Sequence, residues 1–349
     1  MDALGQLKGV ETTYVLINPE DYRIYPAPQW IRATDAWESQ YIARQKVRAV
    51  LKQRHHMLFV NSWEFVVAFR SLARRVPAAV ILDAVPATID DQLRLRGHTG
   101  WKRWLSHQIH NRSFASAAKD FDYFLPMGSD CEDALCQRYE IGRERCFVTL
   151  APQNLTEWLP GNRTYSPPLR LLFVGNDFAR KGGDFLLRLY SQHLADHCLL
   201  TIVSNDPSVK NRSLPAKVQW LSGKKREDML QIYRENDILL LPTQQDFMPQ
   251  VLAEALAVGL PCIATDVGGI RDLIHHGMTG FLMHREATVE QWAEHIIHLV
   301  ANPSDLVRLS IDARRFAVDM LDVGRFENLI ADILERLRVR GERNVSFTD

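Results

Sequence analysis

Residues 239–282 read LLLPTQQDFMPQVLAEALAVGLPCIATDVGGIRDLIHHGMTGFL. The spacing predicts strand, acidic loop, helix, strand, Gly-Gly turn, helix, strand. An apolar run at 237–241 suits a strand covered on both faces. Pro249 favours the first helical position and Gly259 favours a stop, so a helix is expected over 249–258. Asp246 then lies in the loop before the helix, and Glu254 lies about five residues into it. Gly268 and Gly269 follow the strand CIATD. In an open α/β sheet, ligands bind at the carboxyl ends of strands, where both features fall.

The surrounding chain repeats this alternation. Strands are expected at 13–19, 57–62, 78–83, 123–129, 146–152, 169–175, 198–204 and 218–223, with a helix at 33–55 and helical stretches between most of the others. Such alternation predicts βαβ units and parallel sheets. Thr288 and Gln291 form a capping-box pattern, Ser304 is an expected N-cap, and a last helix is expected over 325–338. The stretch QNLTEWLPGNRTYSPP at 153–168 is polar and rich in Pro, Gly and Asn. It divides the chain into a first domain over 1–155, a linker over 156–168 and a second domain over 169–349.

Composition narrows the function. The 349 residues suit two domains, and 46% hydrophobic with 24% charged residues is the balance of a globular protein. The 42 basic and 42 acidic side chains cancel, so no overall field attracts nucleic acid. No apolar run reaches bilayer length, and no leader pattern opens the sequence. Five cysteines without C-x-x-C spacing read as buried free thiols of a reducing cytoplasm. No Cys or His cluster has zinc-ligand spacing, and no metal or other cofactor is expected.

Three constellations carry chemistry. Arg180 and Lys181 precede Gly182 and Gly183, just after the strand ending at Gly175. Adjacent cations on a flexible backbone suit a diphosphate; a surface basic pair is the bland alternative. Glu254 sits among apolar neighbours, where ribose or sugar hydroxyls would satisfy it; a solvent-facing or ion-paired glutamate is the alternative. Gly268 and Gly269 permit close backbone approach to a phosphate, or make a simple tight turn. Asp120 and Asp122 read as turn and capping chemistry. Asp83 ends a strand of the first domain.

From Arg94 to Lys119 there are six basic residues and no acidic one. Trp101, Trp104, Leu105 and Ile109 share a helical face there. Two readings are open. The helix lies on an anionic membrane surface, or it packs its Trp face on the sheet with the basic residues in solvent.

FVGNDFARKGG, followed by QQDFMPQVLAEALAVGLPCIATDVGGIRDLI, resembles glycosyltransferase family four, with its E-x7-E-type motif. The resemblance is good over 169–300 and covers the first half only in outline. It implies a GT-B fold, with two Rossmann-like domains facing across a cleft. It also implies a nucleotide-sugar donor, metal-independent transfer with retention at the anomeric carbon, and a glycan, lipid or other hydroxyl acceptor. By the same resemblance Arg180 and Lys181 clamp the diphosphate, Asp246 contacts the donor sugar, and Glu254 holds the ribose. Gly175, Phe247, Met248, Pro249, Gln250, Gly268 and Gly269 line the donor, and Asp83 stands where the family often places a His or Asp. Asp246 replaces the family's first Glu, one methylene shorter. Asn176 stands where many relatives carry Arg. The family's first strand and Gly-rich loop have no counterpart, so a shortened first domain is expected. Polysaccharide assembly in the cytoplasm, or at the inner membrane face through 94–119, is the implied setting. A non-catalytic or partner-dependent nucleotide-sugar-binding protein is the alternative, with a sugar-nucleotide epimerase of the same fold behind it.

Overall fold

Apolar runs without alternation become strands buried on both faces, and both halves of the chain are built on such strands. The computed structural model describes residues 40–46, 57–95, 100–161, 165–210 and 212–345. The strand expected at 13–19 lies outside these residues, as does most of the helix expected at 33–55; residues 40–46 are helical. Among the described residues no helix is long and apolar enough to cross a membrane.

The chain divides into two compact units, Met1–Thr149 with Phe326–Asp349, and Leu150–Arg325. This differs from the expected division at 156–168 and from a second domain running to the last residue. Two contacts explain the difference. The Gln153 N–H donates to the Leu321 carbonyl at 2.6 Å, which ties the supposed linker into the second unit. The last helix, Val323–Val345, places Ile330, Ile333 and Leu337 against Ala79 and Leu125 of the first unit's sheet.

The first unit has a parallel sheet of β1 (Leu58–Asn61), β2 (Ala78–Leu82) and β3 (Tyr123–Pro126), with β2 central. In β2, Ala78, Val80 and Leu82 face a cluster with Trp63, Phe114, Phe124 and Leu135. Ala79 faces the last helix on the other side. The run AAVIL is apolar throughout because both faces are covered. Helices α1 (Trp63–Ala68), α2 (Pro86–Leu95), α3 (Trp101–Ala118) and α4 (Ser129–Arg138) flank the sheet.

Two expectations in this unit are corrected. Residues 146–152 form no ladder strand. The Phe147 and Thr149 N–H groups reach the Phe124 and Pro126 carbonyls at 2.9 Å, but Leu150 at φ 50° breaks the extended course. On α3, Phe114, Ala117 and Ala118 are buried, whereas Trp101 is 70% and Trp104 56% exposed. The Trp face therefore does not pack on the sheet. Asp122 accepts the Ala78 N–H at 2.9 Å and Asp120 pairs with Arg70 and Arg74, so D-x-D is structural as expected.

The second unit is a six-stranded parallel sheet in the order β6-β5-β4-β7-β8-β9. The strands are β4 (Leu169–Val174), β5 (Cys198–Val203), β6 (Val218–Leu221), β7 (Ile238–Leu241), β8 (Cys262–Thr265) and β9 (Gly280–Met283). All four residues of β7 are buried. Helices α5 (Gly183–Leu189), α6 (Arg226–Glu235), α7 (Gln250–Ala257), α8 (Val289–Ala301) and α9 (Pro303–Phe316) belong to this unit. Trp292, Ile296, Leu299, Leu306 and Leu309 join Leu171, Phe173, Ile238 and Leu240 in one core. Thr288 and Gln291 form the expected capping box. Pro249 is the N-cap of α7 rather than its first residue, and Asn302, not Ser304, caps α9.

The strand order reverses direction between β4 and β7, the permutation of doubly wound nucleotide-binding sheets. At the amino end of this pair Asp237, almost fully buried, accepts the Arg170 N–H at 2.8 Å, Nε at 3.1 Å and an Nη at 2.8 Å. Asp237 is buried but the Arg170 side chain is 40% exposed and can be hydrated, so Asp237→Ala is expected to destabilise the second unit by about 1–3 kcal/mol through the lost hydrogen bonds to its carboxylate. Urea unfolding followed by Trp fluorescence measures this. An unchanged midpoint would show that Arg170 is fully hydrated without its partner.

Candidate functional site

The crevice at a strand-order reversal is filled by the loops that leave the two central strands. After β4, the chain is anchored by Phe178, which packs edge-on against Phe173 (centroids 5.6 Å) and gives its N–H to Asp206 at 2.8 Å. This anchor delivers Arg180, Lys181 and Gly182 to the loop that follows β7. Gly182 has φ 84°, and a Cβ there would lie 1.8 Å from the Pro242 carbonyl oxygen. No other residue type fits at that position without moving the backbone.

The two loops are laced together. The Gln244 N–H donates to the Arg180 carbonyl at 2.9 Å, and Arg180 Nη1 donates to the Gln245 carbonyl at 2.6 Å. Arg180 Nε also pairs with Asp177 at 2.7 Å. Lys181 forms an ion pair with Asp246, and both side chains are mostly buried. Gly175 lies under Lys181: a Cβ on Gly175 would meet the lysine's Cγ at 3.0 Å. The loop after β8 joins them, because the Gly269 N–H donates to the Phe247 carbonyl at 2.7 Å. A Cβ on Gly269 would press on Met248 Cε and the Phe247 carbonyl oxygen, both at 2.8 Å. Gly268, at φ 56°, turns the chain there. Thus Gly175, Arg180, Lys181, Asp246, Phe247, Met248, Gly268 and Gly269 come together at the carboxyl edge of β4, β7 and β8.

Beyond them, Pro249 is buried and opens α7, and Gln250 Oε1 accepts from Gln153 Nε2 at 3.1 Å. Glu254 lies one turn into α7 and accepts the Tyr233 hydroxyl at 2.8 Å. Trp158 stacks edge-on against Tyr233, with centroids 5.7 Å apart. The glutamate is therefore neither solvent-facing nor ion-paired with a neighbour on its own helix; a buried phenol holds it. Asp83 belongs to the other unit. It is exposed directly after β2, and the surrounding protein raises its carboxyl through lost hydration, against two backbone N–H groups that lower it.

Sequence reasoning did not find Tyr233, Asp177 or Pro242. Asp177 was accessible as an acidic residue three before Arg180. Tyr233 and Pro242 carry no local signal, since their partners lie in other loops. Asn176, where a cation was missing, accepts the Asn205 N–H at 3.0 Å and serves the loop. Among the described residues no group of three or more His, Cys, Asp or Glu side chains is placed to hold a metal ion.

Residues 168–302, which hold the loops after β4, β7 and β8, match the family described as glycosyl transferases group 1. The D-inositol 3-phosphate glycosyltransferase of Rhodococcus jostii is 28% identical over 209 residues, 53% of this chain and 46% of that protein. The chain thus spans about half the length of the curated relatives it matches. Among solved structures, sucrose-phosphate synthase from Thermosynechococcus elongatus superposes with a TM-score of 0.73 at 16% identity, covering 88% of this chain and 80% of that one. HepE of Anabaena, solved in complex with UDP-glucose, gives a TM-score of 0.66 at 16% identity, covering 83% and 82%. The chain has the GT-B fold.

The environment of Glu254 has a measurable consequence. Lost hydration pushes its carboxyl above the ordinary glutamate range, and the Tyr233 hydroxyl and Arg226 only partly pull it back. A carboxyl raised in the folded chain costs no stability below its unfolded-state pKa. The cost grows as pH rises and is complete above the folded pKa. Glu254→Gln removes that cost. The variant is expected to be more stable than the parent at about pH 7 and no more stable at about pH 4. Denaturation midpoints across that range test it, and a Gln variant without any advantage at neutral pH overturns it.

Proposed function

We propose that this chain is a retaining glycosyltransferase that moves a sugar from a nucleotide diphosphate donor to a hydroxyl acceptor without a metal ion. The observation that carries the reading is the meeting of Lys181 and Asp246 between the loops that follow β4 and β7. There a cation and a carboxylate stand together at the strand-order reversal, with Gly175, Gly182 and Gly269 keeping backbone close on three sides. The match over 168–302 favours sugar transfer, and the UDP-glucose carried by the similarly folded HepE favours a uridine diphosphate sugar.

In this reading Glu254 accepts the ribose hydroxyls, with Tyr233 fixing the carboxylate. The donor diphosphate takes the Lys181 ammonium in exchange for Asp246, and the released Asp246 accepts hydroxyls of the donor sugar. The bond from anomeric carbon to diphosphate oxygen breaks toward an oxocarbenium-like state. The negative charge that accumulates on the diphosphate is met by Lys181 and by Arg180 once it leaves Asp177. The acceptor oxygen bonds to the same face of the sugar that the diphosphate leaves, and its proton passes to the departing diphosphate oxygen. No nucleic acid partner is proposed. The acceptor is a glycan or lipid-linked hydroxyl, reached at the cytoplasmic face of a membrane through 94–119, where α3 presents Trp101 and Trp104 to solvent.

Lys181→Ala is expected to lower turnover of a UDP-sugar by ~10²- to 10³-fold, as loss of one preorganised donor does. The fold should be retained by circular dichroism. Release of UDP from candidate donors reads turnover, and calorimetric titration with UDP reads binding. Parent-like turnover in the variant would remove Lys181 from the chemistry. UDP binding by the parent with no transfer or hydrolysis would instead favour a non-catalytic binding protein.

A further inference from the structure

The first unit carries a second basic constellation, remote in that unit from Asp83. Arg44, Arg70, Arg74, Arg112, Ser113 and Ser116 line a cleft of about 760 Å³. Its walls are residues 40–46, α1 with the turn that follows it, and the second half of α3. Because α1 leaves the carboxyl end of β1 and α3 returns toward the amino end of β3, the cleft lies by the strands' amino ends. Asp83 follows the carboxyl end of β2.

Charge in the cleft is unbalanced. Arg70 and Arg74 share one carboxylate, Asp120, at 2.7 and 3.0 Å. Among the described residues, Arg44 reaches the Val67 carbonyl, at 3.3 Å. Arg112 makes no hydrogen bond or ion pair among the described residues. Among the described residues, four guanidinium groups thus line the cleft against a single paired carboxylate, Asp120, with two serine hydroxyls beside them. Guanidinium groups bind phosphate through paired N–H donors, and serine adds a neutral donor.

The cleft is also continuous with the exposed stripe of α3. Trp101, Leu105, Ile109, Arg112 and Ser116 recur at steps of three and four residues, so they share one helical face. That face is apolar along its first half, with Leu105 45% and Ile109 41% exposed, and it ends in the arginine cleft. An apolar strip leading into a cationic pocket matches an amphiphile whose head carries phosphate.

We infer that the arginine cleft holds the phosphate of an anionic lipid headgroup while the Trp101–Ile109 stripe of α3 rests in the acyl boundary. This deepens the membrane-contact reading above and is independent of the donor site.

The test uses the full chain and vesicles of phosphatidylglycerol and phosphatidylcholine in equal parts, with UDP present to occupy the donor site. Arg44→Ala/Arg112→Ala is expected to weaken vesicle binding roughly 30-fold at low salt, from about fivefold per cation near an anionic surface. Arg112→Lys retains most of the affinity, and Lys210→Ala, on the second unit, leaves it unchanged. Inorganic phosphate should titrate the parent saturably and the double variant not at all. Circular dichroism confirms that each variant is folded. Parent-like vesicle binding by the double variant overturns the headgroup site, even where Trp101→Ala abolishes binding and so keeps the membrane contact. Arginine-dependent phosphate binding by a chain that ignores vesicles overturns the lipid source in favour of a soluble phosphate compound. A parent that binds neither vesicles nor phosphate overturns both the cleft and the membrane contact, while leaving UDP binding as a separate result.

Discussion

Asp237 holds together two strands whose chains then part. It fixes the start of β4 to the start of β7 through Arg170, and the ladder between these strands covers only Leu171↔Ile238 and Leu172↔Leu239. β4 continues to pair with β5 as far as Val174, while β7 pairs on its other side with β8. Connections on one side of this junction run one way and on the other side the opposite way. No helix is obliged to cover the carboxyl ends of β4 and β7. What fills that gap is a set of loops, and their residue types follow from how close they must come. Gly182 and Gly269 are fixed by backbone atoms within 3 Å of any added Cβ. The ion pair of Lys181 and Asp246 follows from the same closeness.

In the proposed function the charges of the site serve two tasks. Arg180 with Asp177 and Gln245, and Lys181 with Asp246, keep the loops of two strands in register. The same groups are those a diphosphate and a sugar would need. A carboxylate beside the lysine keeps the site near neutrality, so a stray anion meets little net attraction. A ligand that also offers hydroxyls to Asp246 returns to the carboxylate what the lysine gives up. Glu254 behaves similarly: Tyr233 holds it, and lost hydration makes any further hydroxyl donor favourable.

Most of the second unit was legible in the sequence because its strands are short apolar runs bounded by turn residues. The run ILLL, the stop at Gly259 and the Thr288–Gln291 box are local features, and local physics decided them. The junction of Gly175, Lys181, Asp246 and Gly269 was legible only through a resemblance, since nothing in seventy intervening residues says which loops meet. Errors fell where a distant partner decides. CFVTLAP has strand composition, but Leu150 turns out of line. The last helix is expected over 325–338 as part of the second domain, but it runs on to Val345 and its Ile330 and Leu337 complete a sheet laid down by residues 58–126. The Trp101–Ile109 stripe is amphipathic by pattern, and pattern alone does not say whether the apolar side meets protein or solvent.

That returning tail bears on how the protein is made. The first unit is discontinuous, and the second is an insert whose entry and exit are stitched by Gln153 with Leu321 and Val323. During synthesis the insert has all its strands once Met283 has emerged. In the first unit, although begun earlier, the cover that the described residues give Ala79 and Leu125 includes Ile330, Ile333 and Leu337, which leave the ribosome later still. The half of the molecule translated first is thus the last to finish folding, and it waits for the returning helix while the other half assembles. A chain stopped shortly after Arg325 would keep an intact six-stranded sheet joined to one that lacks the Ile330–Leu337 contacts.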